Sequence, residues 1–537
     1  MERFFQESWV EVLAARCSDH RPLLLCMNQK GNKVRRGRKL FRYEANWALE
    51  EDCVVALKRV WEKRTMEDVT PKNLLVSLSD SKRALMSWWK KNGKDRGSEL
   101  KLKTQLLKML QENENSHNSG EIKRLRKEIG LLLEKEDFKW RQRAKVNWYQ
   151  LGDKNPKFFH SCASQRRRKN KIAAVKDDQN IWHSRHEKVE GAFNKYFGSL
   201  FTSSSSSQME IDDCLKYLEA RVIGDMNEAL TKTFSKNEVE DALKQIAPLK
   251  SLGPNCFGAC FYQSHWPIIG EEVNRTVLSW LNGDCFDSSA NFTYIVLIPK
   301  VSNPSLVSEY QTISLCNVAY KIMAKVLANR LKTVLADLIS PNQSTKFCPS
   351  KGLRQGDPLS PYLFILYAEG LSSLLNVSDL RGDTRGVTVA RGGTRVNHLL
   401  FADDCVLLGR AKVEEWKKLK AMLLTYEKAS GQVLNKDKFA LFFSPNTCPR
   451  EKELIKEEGG AVMVGYYGKY LGLPSVVGRS KYLTFRGIKE RVWKKINNWK
   501  NSFLSSAGKE ILIKAVLQAV PTYTMSVFQL PNVCVMS

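Results

Sequence analysis

Apolar positions along this chain fall into two regimes. Through residues 41–138 they recur at three- and four-residue intervals, as at Ile122, Leu125, Ile129 and Leu132 in EIKRLRKEIGLLLEKE, which is the spacing of one helix face. ENSHNSG breaks the pattern just before it. The run is too short for an extended coiled coil and predicts a helix packed on a neighbour. TSSSSSQ at 202–208 predicts a linker. Beyond it the pattern is mixed. A helix is expected at 235–246, a strand at YIVLIPK and a long amphipathic helix over VAYKIMAKVLANRLKTVLADLIS, stopped by Pro341. PLSPYLFILYAEGLSSLL predicts a helix opened by proline, which the first turn tolerates. GVTVARG and RVNHLLFADDCVLLG predict strands, followed by a helix at 412–430 that Gly431 ends. FALFFS and YLGLP predict short strands, and helices are expected at 480–500 and 507–519.

One of these runs carries charge where none is expected. In HLLFADDCVLLG, Asp403 and Asp404 interrupt an apolar stretch. Strand, two acids, strand is the pattern of a hairpin with its carboxylates at the tip. Neighbouring strand residues point to opposite faces, so both acids reach one ion only if the chain bends there. A hard divalent cation, Mg²⁺ or Mn²⁺, suits oxygen ligands of this kind. An ordinary exposed Asp-Asp turn would show the same two letters.

Composition narrows the setting. The 85 Lys and Arg residues against 57 Asp and Glu give a net charge of +28, which favours a polyanionic partner, most often nucleic acid. Residues 139–172 concentrate that charge: 11 Lys and Arg with one acid, interleaved with Trp140, Trp148, Tyr149, Phe158 and Phe159. Basic side chains neutralise phosphates while aromatic faces stack on bases, and Arg166, Arg167, Arg168 and Lys169 form the densest cluster. A solvated helix face would carry the same charges. The 13 cysteines are scattered and never spaced CxxC, as expected of free thiols in a reducing, intracellular compartment, nucleus or cytoplasm. Cys256, Cys260 and His265 lie close in sequence but lack a fourth zinc ligand nearby. No apolar stretch approaches the ~20 residues that span a bilayer, and the first residues lack the order of a secretory signal.

Taken together these motifs resemble the reverse transcriptase of plant LINE-type (non-LTR) retrotransposons. FADD (401–404) matches that family's [FY]ADD box, and GLRQGDPLSPYLF (352–364) matches the box before it. IVLIPK, ISLCNVAYKIMAKVLANRL and ISPNQS resemble its fingers. YEKASGQVLNKDK and YLGLP follow in the family's order, the latter resembling the primer grip at Leu471 and Gly472. RGIKERVWKKINNWKNSFLSSAGKEILIKAVLQAVPTY resembles the approach to the thumb. SDHRPLLL (18–25) is similar to the last motif of the apurinic-type endonuclease that precedes such polymerases, which makes Asp19 and His20 relics of that nuclease. The resemblance implies an α+β fold, a right-hand polymerase palm and fingers with the start of a thumb, preceded by a mainly helical basic region. It divides the chain into an endonuclease remnant (1–40), a helical basic region (41–201), a linker with a short helix (202–234), fingers and palm (235–475) and the thumb start (476–537). It implies an RNA template, a DNA primer, dNTPs and two Mg²⁺ or Mn²⁺ ions about 3.5–4 Å apart. Asp403 would be the principal ligand and Asp404 its companion. Gln355 and Gly356 would shape the nucleotide and template side, and Lys300 would face the triphosphate.

The chain also departs from the family. Such polymerases need a third carboxylate on a separate strand, in a box lying between NQS and RQGDP. Here only Thr345 and Lys346 separate Ser344 from Phe347. Asp337 and Asp379, expected in a helix and a loop, offer no substitute. Gln311 stands where the family has an arginine, and LGPNC (252–256) replaces its PGPDG turn. Three readings stand: a polymerase, a decayed product that binds nucleic acid without extending a primer, and an intact protein whose aspartate box was removed as a false intron.

Overall fold

The computed structural model describes residues 9–12, 23–26, 41–62, 73–92, 96–112, 119–144, 156–202, 206–284, 286–339, 354–388, 390–401, 403–435, 439–459, 463–464, 470–474, 477, 480–500, 509–510 and 513–530. They fall in two compact units, Met1–Arg42 and Tyr43–Ser537. In the first, strands β1 (Trp9–Val12) and β2 (Leu23–Cys26) pair antiparallel with Trp9 opposite Cys26. Asp19 and His20 lie outside the described residues.

The second unit begins with five helices, α1 (Glu51–Glu62), α2 (Asn73–Asn92), α3 (Arg96–Glu112), α4 (Ser119–Ala144) and α5 (Pro156–Lys169). Ile122 and Leu125 are buried, as the three-residue spacing predicts. A two-stranded hairpin, β3 (Val175–Lys176) and β4 (Trp182–His183), precedes α6 (His186–Phe201). Four helices follow: α7 (Gln208–Leu215), α8 (Gly224–Thr231), α9 (Lys236–Gln245) and α10 (Ala259–Ser264). Ser207 and Ser235 each close a reciprocal capping box, with Glu210 and Glu238, which satisfies the first free N–H groups of α7 and α9. The TSSSSSQ stretch thus supplies a helix cap at its C-terminal end. α7 then sends Cys214 into a core with Leu371, Leu375, Leu400 and Tyr426.

Next come α11 (Trp266–Leu281), a seven-rung antiparallel hairpin of β5 (Thr293–Pro299) and β6 (Tyr310–Cys316), and the long helices α12 (Val318–Leu338) and α13 (Ser360–Leu380). Asp379 lies in α13, not in a loop: the helix continues through it to Leu380, and its carboxylate accepts from Gly386 N at 3.0 Å. Hairpins β7 (Val387–Thr388)–β8 (Arg395–Val396) and β9 (His398–Phe401)–β10 (Asp404–Leu407) lead to α14 (Val413–Ser430), which ends at Gly431 in the left-handed conformation, φ 67°. β11 (Ala440–Leu441), α15 (Pro449–Gly459), β12 (Met463–Val464), α16 (Lys481–Lys500) and α17 (Ala519–Met525) complete the chain.

Two strand expectations shrink. FALFFS contributes only Ala440–Leu441, paired parallel with Met463–Val464. YLGLP is a turn, because Leu471 and Gly472 both take positive φ (51° and 79°) while Tyr470 and Leu473 exchange backbone hydrogen bonds of 2.8 and 2.9 Å. Among the described residues every sheet has two strands, so β9–β10 stands without the third strand that a palm sheet would add.

One aromatic core joins the early helices to α10 and α11. Tyr43, Phe257, Phe261 and Tyr262 are fully buried, and Tyr43 packs edge-on against Trp47 and Phe261. Gln142 on α4 fastens the entry, accepting from Ala45 N at 3.0 Å and donating to Tyr43 O at 3.1 Å.

Candidate polymerase-type site and basic surface

The acidic stretch is a hairpin, as the strand–acids–strand pattern predicts, and the structure supplies its register. Asp404 pairs with Phe401, Cys405 with Leu400, Val406 with Leu399 and Leu407 with His398. The chain therefore reverses between Phe401 and Asp404, which leaves Asp403 before the first rung and Asp404 on it; both acids are exposed. Alternation does the rest: His398 and Leu400 are buried, while Leu399 is exposed.

The base of the hairpin rests on a polar anchor. Asn397 donates through Nδ2 to Leu375 O at 3.1 Å, which turns its Oδ1 toward His398 Nδ1 at 2.7 Å. His398 thus carries its proton on Nδ1 and accepts from the Ser372 hydroxyl at Nε2, 2.9 Å away. Burial holds the imidazole below its ordinary pKa, with the nearby Glu369 pulling the other way. Glu369 is buried on α13 and meets Arg221, from the α7–α8 connection, at 2.9 Å. Past β10, Glu415 on α14 accepts from Arg410 Nε at 3.0 Å and from the Arg410 and Arg385 N–H groups. The two acids project from a well-braced base.

Gln355 and Gly356 dock elsewhere on the same unit. Ser314 N on β6 donates to Gln355 O at 3.0 Å, and Gly356 takes φ 105° with room for a Cβ only 3.3 Å from Ser314 O. Asp357 closes the loop, accepting the Tyr320 hydroxyl at 2.8 Å and the Leu359 N–H at 2.9 Å. Arg354 lies over the Tyr320 ring at 5.1 Å. The RQGDP loop is therefore fixed to β6 and α12 before it opens α13. Tyr320, Ser314 and Asp357 were not singled out from sequence; the alternation of RQGDP with ISLCNVAY carries no mark of their contact.

Lys300 sits at the other end of that hairpin. Its ammonium donates to Ser308 O at 2.9 Å. Ser314 lies four residues further along β6 than Tyr310, which is paired with Pro299, roughly 13 Å of strand. Lys300 thus lies at the turn end of β5–β6, and Gln355 docks on the third rung from its open end. Leu471 and Gly472 form the two-residue turn described above. Arg166, Arg167, Arg168 and Lys169 are exposed on the last turn of α5, where the helix carbonyl end favours cations. Cys256, Cys260 and His265 do not form a metal cluster: His265 Nε2 is 2.9 Å from the Tyr43 hydroxyl, and the Cys256 thiol points to Pro254 O at 3.4 Å.

The residues present do not fit a two-ion centre. Among the described residues no three His, Cys, Asp or Glu side chains converge. The sequence holds no acid between Asp337 and Asp357. Asp337 is exposed on α12, and Asp357 is buried with both its oxygens engaged. Among the described residues, the two carboxylates at the tip lack the bridging ligand that fixes ion spacing.

Comparison with known proteins places a class on this region. Residues 342–474 match the family described as reverse transcriptase (RNA-dependent DNA polymerase), a family with a palm-and-fingers fold. Among individual proteins, the chain is 59% identical over 56 residues to an uncharacterized mitochondrial protein of Arabidopsis thaliana, covering 10% of this chain and 46% of that one. It is 24% identical over 195 residues to the transposon TX1 uncharacterized 149 kDa protein of Xenopus laevis, covering 36% of this chain and 15% of that one. The matched part thus spans less than half the length of either relative. No helix among the described residues is long and apolar enough to cross a membrane.

Proposed function

We propose that this chain is a product of the reverse transcriptase lineage of plant LINE-type retrotransposons that binds nucleic acid but does not extend primers. The observation that carries the reading is the exposed Asp403–Asp404 tip, inside the matched segment, with no third carboxylate gathered beside it among the described residues. In this reading Asp403 and Asp404 are the remaining metal ligands, for Mg²⁺ or Mn²⁺. Gln355 and Gly356 support template and nucleotide, Leu471 and Gly472 face the primer, and Arg166–Lys169 hold phosphates. An RNA template and a DNA primer are the partners. The relic nuclease pair, Asp19 and His20, plays no part.

The test uses the full chain with an annealed primer on an RNA template, Mg²⁺ and dNTPs. The expected result is no extension, together with binding that weakens steeply as salt rises, by a slope of about 0.7 in log K per single-strand phosphate contact. Extension that Asp403→Asn abolishes would overturn the loss of catalysis. Binding that is absent or indifferent to salt would overturn the basic-surface half. Genomic DNA between the codons for Ser344 and Phe347 separates deletion from mis-splicing: an in-frame aspartate box there would restore the full polymerase reading.

A further inference from the structure

We propose that the β3–β4 hairpin is a stacking platform for a single-stranded nucleic acid, with Trp182 as the base-contacting residue; the proposal rests on the nucleic-acid-binding half of the function above. Trp182 is 57% exposed and Ile181, beside it, 52%. Single exposed apolar residues are ordinary on protein surfaces. This pair differs in how firmly it is presented and in what surrounds it.

The hairpin is held at both ends. At its tip Asp177 accepts the N–H groups of Gln179 and Ile181, each at 2.9 Å, and contacts His183 Nε2 at 2.8 Å. The His183 contact, followed by those N–H groups, holds the Asp177 carboxyl below the usual carboxylate range. Asn180 takes φ 62° and closes a three-residue loop, the αL position such hairpins need. At its base Val175 is fully buried with Phe193, Phe197, Val307 and Tyr310, and Lys176 N donates to Ser305 O at 2.7 Å. The platform is thereby tied to the loop between β5 and β6. Trp182 is thus displayed by a braced turn, which limits the entropy lost when a base stacks on it.

Charge then selects the partner. Residues 166–195 hold nine Lys and Arg against four acids. Lys176 Nζ lies 5.3 Å from the centre of the Trp182 ring, a cation beside an aromatic face. Five residues, 170–174, separate the Arg166–Lys169 cluster from β3, at most roughly 20 Å of chain. An aromatic ring with cations within that reach is the arrangement that binds single strands, bases on the ring and phosphates on the cations. A duplex hides its base faces and would use only the cations.

The experiment titrates the full chain into end-labelled oligo(rU), oligo(dT) and a duplex of equal length. Trp182→Ala is expected to weaken binding to both single strands about tenfold, leave duplex binding unchanged and keep the salt slope. Trp182→Phe is expected to retain most of the affinity, since a ring remains. Loss on oligo(rU) alone or oligo(dT) alone also supports the platform and names its strand. Unchanged single-strand binding by Trp182→Ala, with the wild type binding well, overturns this inference and leaves the proposed function standing. Equal losses on single strand and duplex overturn stacking as well. A wild type that binds none of the three overturns both readings.

Discussion

At the scale of residues, backbone sign marks Cys256 and Leu471 as strained side-chain-bearing positions. Cys256, in the LGPNC turn, takes φ 68°; its N–H still donates to Gly253 O at 2.9 Å to hold the turn. Left-handed backbone at a side-chain-bearing residue costs on the order of 1–3 kcal/mol, part of which glycine returns through its freer unfolded chain. Cys256→Gly should therefore raise stability by roughly 0.5–1 kcal/mol, seen as a higher denaturant midpoint with unchanged slope. Leu471, at φ 51°, is strained in the same way, in a turn whose preferred residues are Asn and Gly. Gly356 is the opposite case. Its φ and the nearness of Ser314 O admit no side chain without displacement, so this glycine is required by where the loop docks.

At the scale of elements, a half-buried ion pair helps decide which helices meet. Arg330 on α12 forks onto Glu238 of α9 at 2.7 and 3.1 Å and donates to the carbonyls of Leu230, Lys232 and Thr233, with its plane over Phe234. One guanidinium so closes the α8–α9 turn and joins it to α12, and it holds the Glu238 carboxyl below its ordinary range. Arg330→Met is expected to cost about 2–4 kcal/mol, because several carbonyls lose a charged donor at once. Arg330→Lys should recover little of it, since an ammonium cannot span the same fork. Thermal unfolding of the two variants checks both outcomes. The element pattern itself was largely legible: α9, α12, α13 and α14 fall within a few residues of expectation because apolar spacing, a capping serine or a terminal glycine marks each. The short strands were not, since a two-residue strand exists only through its partner.

At the scale of the whole molecule, acid should loosen the fold from two directions. Burial pushes His265 down to about 4, against an unfolded value near 6.5. As pH falls through that window the unfolded chain takes up a proton that the folded chain refuses, so stability declines from about pH 6.5 to about pH 4. The contribution is roughly 3 kcal/mol, and His265→Gln should flatten the stability-versus-pH curve over that window. Carboxylates held low by partners, Glu238 with Arg330 foremost, contribute stability above their unfolded values and lose it as pH falls further. Denaturant unfolding at stepped pH separates the two windows. The net charge of +28 acts in the same direction, since protonation adds to self-repulsion.

The sequence by itself determined most of the long helices, the existence of the acidic hairpin, the basic cluster and the absence of any acid between Asp337 and Asp357. These are local matters, written in spacing, turn residues and composition. Only the tertiary structure decided that the Gln355–Gly356 loop docks on Ser314, that Lys300 sits four rungs away at the turn of the same hairpin, that α7 enters the core beneath β9 and that Trp182 is displayed on a braced turn. Each of these depends on contacts between residues far apart in the chain or on the sign of a backbone angle, and neither leaves a periodic trace in the letters.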